Sequence, residues 1–139
     1  LIADTLDRGN WRKAGFNGMM LPLLEDSILA ERAAEGQLNV KDLLLYSTLC
    51  GTGLDTIPLP GDTSIEQLRS VLMDIAAISI RLDKPLTARL MPIPGKSAGD
   101  FTDFHFPFFA NSRVLSLEGQ PLHRFFTSQD PIHICPRRR

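Results

Sequence analysis

The chain has 139 residues, 43% of them hydrophobic, and its 15 Lys plus Arg against 16 Asp plus Glu give a formal net charge of -1. That length suits one modest core, since domains commonly run to roughly 100–150 residues, and the near-balance of charge excludes a global field drawing the protein onto nucleic acid or an anionic membrane. No apolar run approaches the ~20 residues of a membrane span, and Cys50 and Cys135 lie too far apart in sequence for a zinc ribbon or a small disulfide scaffold, so reduced thiols and a cytoplasmic location are expected.

The opening "LIADTLDRGNWRKAGFNGMMLP" carries Gly9, Gly15 and Gly18 with little periodicity, and reads as turns around one short strand, 18–21. Leu23, Leu24, Ser27, Ile28, Ala30 and Ala34 then recur at helical spacing. Pro22 suits the first turn, Glu25 and Asp26 complement the positive end of the dipole, and Gly36 offers a stop. A short helix follows, with Asn39 as N-cap, Asp42 three positions on, and an end next to Cys50 and Gly51. "LDTIPLP" is β-branched in part but interrupted by Pro58 and Pro60, which makes it an edge strand or an extended connector.

The segment from Ser64 to Leu82 gives the strongest helical signal. Thr63 or Ser64 caps it, Glu66 and Gln67 complete either capping box, and Ile65, Leu68, Leu72, Ile75, Ala76, Ser79 and Leu82 form a stripe that Val71, Ile78 and Ile80 widen. "LTARLMPI" alternates as a strand over Leu86 to Ile93, and a loop from Pro94 to Asp103 carries Gly95 and Gly99 around Lys96. A Phe-dense stretch leads to an expected strand, Arg113 to Leu117, with two more short strands expected near Phe125 and Ile132. The order of elements predicts an α/β fold, helices packed on a small sheet.

Three stretches could carry chemistry. Cys50 stands at a helix end near two glycines, Gly51 and Gly53, but that is the negative end of the dipole, which works against a thiolate; a packed, inert thiol is the competing reading. "PGDTS" feeds a glycine turn into a helix N-terminus, where unpaired N–H groups with Thr63 and Ser64 can hold an anion; the same residues also make an ordinary capped start. "PGKSAGDFTDFH" sets Asp100, Asp103 and His105 at short spacing beside Lys96, yet matches no recognised metal motif, so no metal is assigned. The phenylalanines lack interleaved Lys or Arg and suit packing rather than base stacking.

The stretches "MMLPLLEDSILAERAAEGQLNVKDLLLYSTLCGTGLDTIPLPGDTS" and "KPLTARLMPIPGKSAGDF", with "DPIHICP" near the end, resemble the carboxyl-terminal third of the prokaryotic domain of unknown function seven-eleven family, from about Gly18 onward. The resemblance implies a longer protein with a fold like the α/β barrels of the pyruvate formate-lyase-like glycyl radical enzymes. It carries over Cys50, Gly53, Asp55, Asp62, Thr63, Lys84, Thr87, Arg89, Gly95, Lys96, Gly99 and Asp100, with no reaction attached. "SRVLSLEG" matches only the first two residues of the glycyl radical loop pattern Arg-Val-x-Gly-Tyr, so radical chemistry is not implied.

Residues 1–139 are thus read as a single domain or, since they open on Leu1, as the carboxyl-terminal fragment of a longer α/β barrel protein. The expected function is that of an enzyme segment binding a small carboxylate or phosphate, with Cys50 and Asp55 in catalytic roles and Asp62, Thr63, Arg89, Lys96 and Asp100 around the ligand. The alternative is a binding or structural module with no chemistry of its own. No cofactor is assigned. Expected partners are the anionic ligand and further copies of the chain, without nucleic acid or membrane. If strand, helix and strand form a parallel unit, the loops at Asp62 and Lys96 should meet at one end of the sheet.

Overall fold

A computed structural model describes residues 1–118, 131 and 133–136. At its centre strand β1 (Gly53–Pro60), helix α4 (Ile65–Leu82) and strand β2 (Thr87–Ile93) form a βαβ unit, the two strands pairing in parallel. Parallel pairing requires a crossover long enough to return the chain to its starting end, and α4 supplies it. Helix α3 (Val40–Tyr46) packs on β1 and α4 on β2. The core gathers where they meet: Leu54, Ile57 and Leu59 of β1 are fully buried together with Leu23 and Leu24, and Val71 and Ile75 of α4 close over them.

The helix ends follow their local chemistry. Ser64 accepts a hydrogen bond from the Gln67 N–H while Gln67 Oε1 accepts one from the Ser64 N–H, a complete capping box. Asn39 and Asp42 make the same reciprocal pair at α3. Helix α2 (Ser27–Ala34) begins later than the sequence pattern implies, because the Asp26 carboxylate takes the N-cap position and accepts from the N–H groups of Ile28 and Leu29, both at 2.9 Å. Pro22 is therefore outside the helix and bridges to Asp55 instead.

Other expectations give way. The opening contains a helix, α1 (Ile2–Arg8), held by an Arg8–Asp4 ion pair one turn apart, and none of its residues is buried. With no face against a core, no hydrophobic period marked it. The expected strand at 18–21 is absent, as is the strand Arg113 to Leu117, which reduces to one antiparallel bridge between Arg113 and Phe101. The strands expected near Phe125 and Ile132 lie outside the described residues.

"LDTIPLP" is a full strand despite its prolines. The Thr87 N–H donates to the Thr52 carbonyl, whereas beyond an irregularity between Leu54 and Ile57 the Pro58 carbonyl accepts from Leu115 on the other side. The alternation places Pro58 and Pro60 where a missing N–H breaks no bond to β2. At the irregularity Thr56 adopts φ 51, an uncommon conformation for a β-branched residue. Its hydroxyl accepts from the Leu24 N–H at 3.0 Å and donates to the Asp55 carbonyl at 2.8 Å, which docks the segment before α2 on the bulge.

Candidate functional site

The loops after β1 and β2 meet at the carboxyl-terminal end of the strand pair. The Gly61 N–H donates to the Lys96 carbonyl at 2.9 Å, and a Cβ on Gly61 would overlap the Ile93 carbonyl oxygen, so only glycine lets the two backbones approach this closely. The Thr63 hydroxyl donates to the Pro60 carbonyl at 2.7 Å and tightens the turn into α4. Across from it the Asp100 carboxylate accepts from the Ser97 N–H at 2.7 Å and shapes the loop that carries Lys96. Asp62 is exposed and Lys96 half-buried, and among the described residues neither takes part in an ion pair. Two backbone turns, one cationic and two acidic side chains therefore share this end, the place where open parallel sheets and barrels collect ligands.

The stretch from Asp62 to Ser64 is a capped turn as well, since its Ser64 and Gln67 groups satisfy each other. Asp100, Asp103 and His105 belong to no three-residue metal-ligating group among the described residues.

Arg89 and Asp55 lie together on the adjacent strands but do not stand free. Arg89 Nε donates to the buried Asp55 carboxylate, and its Nη2 donates to Glu25 at 2.7 Å. The hydrogen bond to Asp55, and then that to Glu25, hold the guanidinium still more firmly in its charged form against the opposing pull of desolvation. Asp55 has a side-chain exposure of 6%, whereas Arg89 is half-exposed, so the pair runs from the core to the surface. Sequence spacing gave no sign of Glu25 as the third member; its position before α2 suggested only a favourable place near the helix dipole.

Cys50 sits at the other end of β1. Its side chain is buried, its sulfur accepts from the Gly53 N–H at 3.1 Å, and its thiol lies 3.6 Å from the Gly53 carbonyl. The thiol thus closes a turn, and it stands at the opposite end of β1 from Asp62 and Lys96. Lys84 also works at this end: its ammonium reaches the carbonyls of Ser47 and Thr48 at 3.5 and 3.2 Å and satisfies the open end of α3.

A parallel βαβ unit with apposed loops at its carboxyl-terminal end places the chain among α/β proteins. It belongs to the family described as Uncharacterised ACR (DUF711), whose model matches residues 1–113 and so takes in α1 as well as the segment beginning near Gly18. The chain is 40% identical over 89 residues to a UPF0210 protein of Pyrobaculum aerophilum, covering 64% of this chain and 20% of that protein. A UPF0210 protein of Lacticaseibacillus paracasei is 34% identical over 141 residues, 96% of this chain and 31% of the relative. Another, of Oenococcus oeni, is 32% identical over 108 residues, 75% and 24% of the two chains. The chain thus spans between about a fifth and a third of the length of these relatives. No solved structure matches it. Among the described residues no helix is long and apolar enough to cross a membrane.

Proposed function

We propose that this chain is the carboxyl-terminal segment of an α/β enzyme, and that the turns at Gly61–Ser64 and Gly95–Asp100 bind a small carboxylate or phosphate. The observation that carries the reading is the Gly61–Lys96 backbone bond, which brings the loop of Lys96, a residue without an ion pair among the described residues, against the turn that leads into an 18-residue helix. Lys96 supplies the charge, the first turn of α4 offers backbone N–H groups, and Asp62 is the group available for a proton. Arg89 is a positioning residue in this reading, its charge already shared between Asp55 and Glu25. The βαβ unit is one repeat of a larger pyruvate formate-lyase-like barrel. Support comes from the parallel register and from relatives of which this chain covers only 20–31%.

A second reading, a binding or structural module without chemistry, draws on the burial of Cys50 and on the closed ion pairing of Asp55. Calorimetric titration of the purified chain with inorganic phosphate tests the first reading. Saturable binding that falls about tenfold in Lys96→Gln, the loss of one charge-assisted hydrogen bond, is the expected result. Heat of binding unchanged by Lys96→Gln and by Asp62→Asn together would remove the loops as the site.

A further inference from the structure

Beyond the loop site, the opposite end of the strand pair opens into a cleft of about 870 Å³, within the ~300–1,000 Å³ usual for small-molecule sites. Its walls come from separate parts of the chain: Asp4 and Asp7 of α1, Lys13, Gly51 after Cys50, and Asp83 and Lys84 after α4. The Asp7 carboxylate accepts from Lys13 Nζ at 2.8 Å. That bond, followed by the charge of Lys13 and then of Lys84, holds the carboxyl of Asp7 below its ordinary range. Lys84 uses its ammonium on the α3 carbonyls, where up to three donors are available for two acceptors.

Two features indicate that Asp7 is a replaceable occupant. Its side chain is 77% exposed while that of Lys13 is only 37% exposed, so the cation is the fixed partner and the carboxylate the peripheral one. Helix α1, which carries Asp7, buries none of its residues. The acidic groups of the cleft do not cancel the site, because Asp4 is paired with Arg8 at 3.0 Å on its own helix. With Asp7 displaced, Lys13 and Lys84 remain against Asp83.

We propose that this cleft binds a small molecule through a carboxylate, which takes the place of Asp7 beside Lys13 and Lys84. Apolar walls from Leu49, Met19 and Leu82 take the rest of the ligand. The site is separate from the Gly61–Lys96 loops and does not depend on them. It gives Lys84 a role beyond holding the end of α3.

The test is titration of the purified chain with malonate, followed by amide chemical shifts at Gly51 and Lys84. Saturable shifts are expected, with affinity several-fold tighter in Asp7→Asn, where the internal competitor is gone, and roughly tenfold weaker in Lys13→Gln. Asp4→Asn, on the same helix but outside the Lys13 pair, should leave the affinity unchanged, which separates competition from fraying of α1. Lys96→Gln should also leave it unchanged, keeping this result independent of the loop site. Equal affinity in Asp7→Asn and the unmodified chain, or undiminished binding in Lys13→Gln, overturns the proposal. Inorganic phosphate binding as tightly as malonate, with the same response to Lys13→Gln, overturns the assignment to carboxylates.

Discussion

At the amino-terminal end of the β1–β2 pair, Gly53 lies so close to Thr87 that a Cβ would overlap the Thr87 carbonyl oxygen; at the carboxyl-terminal end, Gly61 stands in the same relation to Ile93. The surroundings differ. Gly53 is buried, adopts φ 107, and has both its N–H and its carbonyl engaged with the Cys50 thiol. Gly61 is exposed, needs no left-handed backbone, and bonds to the Lys96 carbonyl in a loop that the Ser97–Asp100 hydrogen bond shapes. The same close approach thus lies in the buried core at one end and between two solvent-facing turns at the other. Residue type at a strand end says little about role until burial and backbone conformation are known.

The contrast can be broken first at the glycines. Gly53→Ala meets both the carbonyl overlap and the positive φ, and should cost roughly 2–5 kcal/mol in urea unfolding. Gly61→Ala meets the overlap alone, in turns that can shift, and should cost clearly less. Equal losses would mean that the carboxyl-terminal turns are as rigid as the core end. A smaller effect is expected at the ion pair that links the two strands between these ends. Arg89→Met leaves the Asp55 carboxylate buried without its charged partner and should lower stability by about 1–3 kcal/mol, less than a fully buried pair because the guanidinium is half-exposed.

The smallest effect concerns Lys41 and Glu118, both exposed, whose 2.6 Å contact holds the carboxyl of Glu118 below its ordinary range through the hydrogen bond and charge of Lys41. A depressed acid favours the folded state at pH above its unfolded value and loses that contribution as pH falls through the folded value. The unfolding midpoints of Glu118→Gln and the unmodified chain should therefore differ slightly at neutral pH and converge in acid. A difference that grows in acid would mean that Glu118 acts through something other than Lys41.

What the sequence made legible was local. The capping boxes at Asn39 and Ser64 are spelled within four residues each, and β2 shows its alternation directly. Helix α1 was missed because a helix without a buried face has no hydrophobic period to display. The alliance of Arg89 with Glu25 spans 64 positions, and no short-range spacing encodes it. Nor does composition announce that Thr56 turns left-handed; the docking of Leu24 on its hydroxyl makes that conformation useful, and that contact exists only after the chain has folded back. For the candidate site, the expected meeting of the Asp62 and Lys96 turns followed from topology, whereas the burial of Cys50 and the internal pairing of Arg89 depend on tertiary neighbours.

The prolines of the two strands have one more effect, on association. Register and hydrogen bonding put Pro58 and Pro60 on the side of β1 away from β2, and by the same alternation Pro92 on the side of β2 away from β1. A foreign strand approaching the outer edge of β2 near its carboxyl-terminal half would find no amide hydrogen at Pro92, while on β1 the Pro58 carbonyl is already taken by the Leu115 N–H, so neither edge could template a continuous ladder there. The half of the sheet that presents its loops to solvent is in this way protected from edge-to-edge aggregation by residues that, read along the chain, allowed only an edge strand or an extended connector.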